Sequence, residues 1–221
     1  PKAISHDRRL VQAESETDEF IKILEMLQHG DRLGTSFLQL PPSFNAHSID
    51  ALEGYLKALP KNFKYAVEPR HVTWFDNADN ERKLDDMLQN LGIDKVIFDS
   101  RPLFASEAKD QDESDAQSRK PQTPVRKVAL ATHPFLRLVG SNDLDANDIW
   151  IKEWAPIINK WILENKHPYV FLHCPNEANA PYFARRLHRQ LKKLNPLLGN
   201  FPKFASDFKK EELEPQQLDL F

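Results

Sequence analysis

Short apolar runs alternate with longer amphipathic stretches along almost the entire chain, and this restricts the fold more than any other feature. The runs "GTSFLQLPP", "FKYAVEPR", "DKVIFDS", "PFLRLVG" and "PYVFLHC" are too short for buried helices and mostly apolar on both faces. They predict parallel strands covered on both sides, near residues 35–40, 64–69, 94–99, 135–139 and 169–173. Helical patterns lie between them. "SETDEFIKILEMLQHG" offers Ser15 or Thr17 as a cap, Phe20, Ile23, Leu24 and Leu27 as one apolar stripe, and Gly30 as a stop. "SIDALEGYLKALP" turns Ile49, Leu52, Leu56 and Leu59 inward. "NERKLDDMLQNLG" and "NAPYFARRLHRQLKKL" read likewise, and in "DIWIKEWAPIINKWILENK" Pro156 predicts a kink or a restart. Strands separated by helices call for an α/β fold, either an open doubly wound sheet or a (β/α) TIM-type barrel. Only six glycines are present, and no glycine-rich loop follows any strand. That disfavours a dinucleotide-binding sheet and favours the barrel.

The expected organisation is one barrel domain over residues 1–200, with the polar stretch "SEAKDQDESDAQSRKPQTP" at 106–124 as a mobile loop inside it, and a tail over 201–221. A chain of 221 residues can bury a sizeable core. The net charge of −3 calls for no polyanion through bulk electrostatics, which leaves local patches such as "RRLHRQLKK" for phosphate contact. The lone Cys174 excludes an internal disulfide and fits a cytoplasmic location. No apolar run approaches membrane-spanning length. The sequence opens on Pro1, so the expectation is a piece of a longer gene product.

In a barrel the functional groups gather at the carboxyl ends of the strands. Those ends carry Gln39, then Glu68, Arg70 and His71, then Asp99 and Arg101; Arg137 lies in the next strand, with Ser141 and Asn142 after it, and His173, Cys174 and Asn176 come last. Each residue also has a plainer reading. Gln39 can tie down its own loop, Asp99 can cap the loop that follows it, and His71 and His173 can be packed side chains. Glu68 in an apolar strand needs a partner, for which Arg70 and Arg137 are available. Arg137, between Leu136 and Leu138, needs an anion, either a protein carboxylate or a ligand. Trp74 is the better candidate for a ligand wall; Trp150, Trp154 and Trp161 read as packing. Polar groups on five strand ends together favour a binding site.

The stretches "PKAISHDRRL", "GTSFLQLPPSF", "YAVEPRHVTWF", "FLRLVG" and "PYVFLHCPNEANAPYFARRL" resemble, in order and spacing, the motifs of the YecE-like family, known as domain of unknown function 72. The resemblance implies a TIM-type barrel whose first strand and most of whose second precede Pro1. Pro69 stands where the family often has an aromatic before its Arg-His pair. By residue match, Gln39, Glu68, Arg70, His71, Trp74, Arg137, His173 and Asn176 inherit candidate-site status, and Asp99 joins them by position.

Three functions compete. The first is an enzyme, most simply a hydrolase, acting on a phosphate-containing substrate such as nucleic acid. Arg70 and Arg137 would hold the anion, Glu68 or Asp99 would act as general base, and His71 or His173 as general acid. The same carboxylates and histidines offer ligands for a divalent metal, although no tight ligand-spacing motif is present. The second is a sugar or carboxylate enzyme using paired carboxylates and the Trp74 wall. The third is a non-catalytic binding module.

The last residues, "QLDLF", resemble the peptide with which bacterial proteins dock on the DNA polymerase sliding clamp. Gln217 would open the peptide, Leu218, Leu220 and Phe221 would fill apolar pockets, and Asp219 is tolerated between them. The polar run from 206 to 217 would act as a tether, and the plainer alternative is that Leu220 and Phe221 fold back on the barrel.

Overall fold

The computed structural model describes residues 2–204 and 207. Five parallel strands, β1 (Ser36–Gln39), β2 (Tyr65–Glu68), β3 (Asp94–Asp99), β4 (Phe135–Val139) and β5 (Tyr169–His173), lie side by side in chain order. Every strand falls within its expected span. The order never reverses, as it must in a doubly wound sheet, so the strands form the continuous arc of a barrel wall. The helices are α1 (Glu14–His29), α2 (Ile49–Ala58), α3 (Asp79–Leu91), α4 (Gln111–Arg119), α5 (Asp148–Leu163) and α6 (Ala180–Leu194).

Strand side chains alternate between two environments. On the helix side, Val67 packs with Leu52, Leu56, Leu84 and Leu88 of α2 and α3. Ile97, Leu136 and Leu138 pack with Trp154 and Ile158 of α5 and Phe183 and Leu187 of α6. On the concave side, Ala66, Val96 and Phe135 form a small cluster against Tyr169, and the Phe135 ring lies 5.1 Å from Phe37 and 4.9 Å from Phe171. Helix α5 runs unbroken through Pro156, so no restart occurs there.

Four local expectations need correction. Ala13, not Ser15 or Thr17, occupies the N-cap of α1, and the Thr17 hydroxyl instead meets the Tyr55 hydroxyl at 3.2 Å. Of the α1 stripe, Leu24 is buried while Ile23 and Leu27 are exposed, since this helix precedes the edge strand β1. Trp74 is fully buried and donates its Nε1–H to the carbonyl of Phe44, 2.7 Å away, so it belongs to the core rather than to a ligand wall. The stretch 106–124 contains the helix α4. Asp110 caps it by accepting from the Glu113 N–H at 2.8 Å, and the buried Glu113 accepts from the backbone N–H groups of Lys109 and Asn142 at 2.8 and 2.7 Å. The long connection onward to β4 is fastened by Arg126, which grips both oxygens of Glu81 in α3 at 2.6 and 3.1 Å. Among the described residues no helix is long and apolar enough to cross a membrane.

Candidate functional site

A cavity of about 400 Å³ opens at the carboxyl ends of the strands, with α4 along one side. Gln39 of β1, Arg70 just beyond β2, Arg137 of β4 and His173 of β5 line it together with Arg119 and Lys120 at the end of α4.

Glu68 organises this wall from behind. Its side chain is fully buried, and each carboxylate oxygen takes one guanidinium: Oε1 accepts from Arg70 Nε, and Oε2 accepts from Arg137 NH1 at 2.5 Å. Arg137 NH1 also reaches Gln39 Oε1 at 3.4 Å. The register explains the meeting, because β1–β2 pairing sets Gln39 beside Glu68, and β3–β4 pairing sets Phe98 beside Arg137. Both guanidinium carbons sit over the Phe98 ring, at 4.6 Å for Arg70 and 5.3 Å for Arg137. A guanidinium has five N–H donors, so each arginine retains donors beyond those that Glu68 and Gln39 engage.

The electrostatics follow from burial and from these neighbours. Burial, then the Arg137 and Arg70 charges, push the Lys120 ammonium below its ordinary value. Lys120 makes no ion pair with a described residue. Burial and Arg137 likewise hold the His173 imidazole below its ordinary value, against the opposing pull of Glu177, whose Oε1 lies 3.6 Å from Nδ1. Burial pushes the Cys174 thiol up to about 12, so this wall residue is no thiolate near neutral pH. The acids of the lining, Asp112, Asp115 and Glu177, are exposed at the rim, and Asp115 faces Arg119 across 3.9 Å. The cavity is therefore cationic at its floor and mixed at its mouth.

The remaining candidates lie elsewhere. Asp99 is fully buried on the helix side, where Oδ2 accepts from Trp154 Nε1 at 2.8 Å and both oxygens accept from Arg101, itself bonded to Glu153 at 2.8 Å. Its strand neighbour Phe98 faces the arginines, so alternation along β3 sends Asp99 away from the cavity and removes it as a candidate base. His71 caps a short 3₁₀ turn by accepting from the Thr73 N–H at 3.2 Å. Asn176 does the same for Ala178, and its own N–H donates to Asn142 Oδ1 at 2.8 Å. Ser141 is buried and bound to Asn147. Among the described residues, no three His, Cys, Asp or Glu side chains gather in a group that could hold a metal ion. Arg119, Lys120 and Glu177 line the cavity but were absent from the sequence-derived set. The available signal for the first two was the Asp110–Glu113 capping pattern, which predicts a helix ending at a basic pair before Pro121.

Parallel strands in chain order, with a polar cavity at their carboxyl ends, place this protein among TIM-barrel-like α/β proteins. The chain belongs to the DUF72 family, described as proteins of unknown function, whose family model matches residues 1–205. It is similar to UPF0759 protein YecE of Escherichia coli K12, with 34% identity over 221 residues, spanning 100% of this chain and 76% of that protein. Two solved DUF72 family proteins share the fold. The one from Thermotoga maritima MSB8 has a TM-score of 0.60 at 20% identity, covering 88% of this chain and 70% of that one. The one from Enterococcus faecalis V583 has a TM-score of 0.57 at 14% identity, again over 88% and 70%.

Proposed function

We propose that the cavity binds a phosphate-bearing ligand through Arg70 and Arg137 and that the protein acts on it, most simply as a hydrolase. The observation that carries this reading is the pair of guanidiniums from two strands, aimed into one cavity by a single buried carboxylate. Such a pair presents planar donors suited to phosphate oxygens. His173, held toward its neutral form beside Glu177, is the proton-transfer group. Glu68 has a positioning role, because both its oxygens already hold arginines. The sugar-processing alternative is less well supported: it needs two carboxylates free to face the substrate, whereas Glu68 is engaged and Asp99 lies in the helix layer. Calorimetric titration with inorganic phosphate tests the reading. The native protein should bind, and Arg137→Met should lose at least about tenfold in affinity while keeping its circular dichroism, as expected when a charge-assisted contact goes. Absence of binding by the native protein would remove the proposal.

Association with DNA rests on a separate feature, the match of Gln217, Leu218, Asp219, Leu220 and Phe221 to a sliding-clamp peptide; these residues lie outside the described ones. We propose clamp docking through this peptide as the means by which a phosphate-directed barrel reaches nucleic acid. A short peptide must be ordered on docking, so its affinity is modest and carried mainly by Leu220 and Phe221. Titration of a peptide covering 210–221 against a purified bacterial clamp, beside Leu220→Ala/Phe221→Ala, decides it. Equal binding by both, or none by the native peptide, ends the clamp reading.

A further inference from the structure

The floor of the cavity carries more positive charge than one phosphodiester can neutralise. Arg70 and Arg137 have side chains 12% and 13% exposed and share the single buried Glu68. Lys120 adds a third cation from the end of α4, without an ion pair to a described residue; the Arg137 and Arg70 charges both act on it, opposed by the weaker pull of the exposed Glu177. Glu68 offsets one of these three charges, and two remain facing the cavity. The other acids, Asp112, Asp115 and Glu177, are exposed at the rim, where water screens them; Asp115 faces Arg119, and Glu177 stands beside the neutral-leaning His173.

The backbone that carries Lys120 is also fixed in place. Its N–H closes the last turn of α4 on the Ala116 carbonyl at 2.9 Å, Pro121 stops the helix, and the buried Ser100 hydroxyl donates to the Pro121 carbonyl at 2.7 Å. Buried or half-buried cations in such number favour an anion that matches their charge.

We infer that the site selects a phosphate monoester in its dianionic form, with Lys120 as the residue that distinguishes monoester from diester. This rests on the phosphate reading proposed above. A terminal phosphate presents three oxygens outside the ester linkage, enough for one contact to each of Arg70, Arg137 and Lys120. A diester carries one negative charge, leaves one cation uncompensated, and must fit a second substituent beside α4. The same chemistry is offered by a small phosphorylated metabolite and by the phosphorylated end of a nucleic acid.

The test is a set of titrations of the full chain at about pH 8, where a monoester has lost its second proton of pKa ≈ 6. The probes are phenyl phosphate, dimethyl phosphate, and one oligonucleotide with and without a terminal phosphate. Phenyl phosphate should bind about tenfold or more tightly than dimethyl phosphate, the value of one further hydrogen bond between charged groups. Lys120→Met should abolish the preference while still binding both esters weakly, and Lys120→Arg should restore it. Equal binding of the two esters by the native protein overturns the monoester assignment and leaves the phosphate reading standing. An undiminished preference in Lys120→Met overturns the role of Lys120. Failure to bind any ester removes both readings. Tighter binding of the phosphorylated oligonucleotide than of phenyl phosphate identifies a nucleic-acid end as the source, and the reverse identifies a small metabolite.

Discussion

Arg137 NH1 reaches Glu68 Oε2 at 2.5 Å across 69 residues of sequence, joining two strands that are not neighbours in the sheet. Removing the charge of the shared acceptor leaves two buried guanidiniums without their counter-ion. Glu68→Gln should therefore lose about 3–5 kcal/mol of stability in urea unfolding, the usual cost of breaking a buried ion pair from one side. A bound phosphate replaces the missing charge in the native state only. Phosphate should accordingly stabilise Glu68→Gln more than the native protein; equal stabilisation would place the anion elsewhere.

Asp99 offers the complementary case. Asp99→Ala leaves the Trp154 Nε1–H unsatisfied in the core and deprives Arg101 of its buried partner. A loss of about 1–3 kcal/mol is expected. Phosphate affinity should be unchanged, because this carboxylate lies in the helix layer. A fall in affinity at unchanged stability would return Asp99 to the site.

Helix α4 depends on one buried acid. Glu113→Ala strands the N–H groups of Lys109 and Asn142, while the Asp110 cap, made to the backbone N–H of residue 113, is kept. Amide exchange over 111–119 should accelerate by the equivalent of about 1–3 kcal/mol. Phosphate binding should weaken with it, since Lys120 is carried by this helix. Faster exchange with unaltered binding would exclude α4 from the site.

The imidazole of His173 titrates below the ordinary value of 6.5 in the folded protein, through burial and Arg137. The unfolded chain therefore takes up this proton first as pH falls. The stabilisation is complete above about pH 6.5 and is lost progressively as pH drops towards and through the folded pKa. His173→Gln should flatten that part of the stability profile, leaving the contributions of His6 and His133, which burial also lowers. A phosphate in the cavity adds negative charge beside the ring, so the His173 resonance should titrate at higher pH when phosphate is present. No upward movement would count against the cavity as the binding site.

The strand positions were legible because apolar runs of fixed length between helices leave little freedom. The direction in which individual side chains point was not. Phe98 and Asp99 both lie in a strand buried on both sides, so composition does not reveal which one faces the arginines. Arg70, Arg137, Gln39 and His173 could be found because polar groups at the ends of apolar strands are unusual. Trp74 could not be separated from a ligand wall, since its burial depends on Phe44, 30 residues away. Helix α4 was concealed by its polarity: it buries only Glu113 and Ala116, too little for an apolar stripe.

The Phe98 ring has a consequence for how the site is tuned. An aromatic face carries a negative quadrupole, and here two like-charged groups lean on the same one. The ring adds to what Glu68 does to lessen their mutual repulsion, and it does so without a further acid that would compete with an incoming anion. The ring thereby lets two cations stay close while leaving their outward donors unopposed. Replacing it by an aliphatic chain of similar bulk would alter the field in the cavity while every ionisable group stayed in place, so the anion affinity proposed for this site would be set in part by a residue with no charge at all.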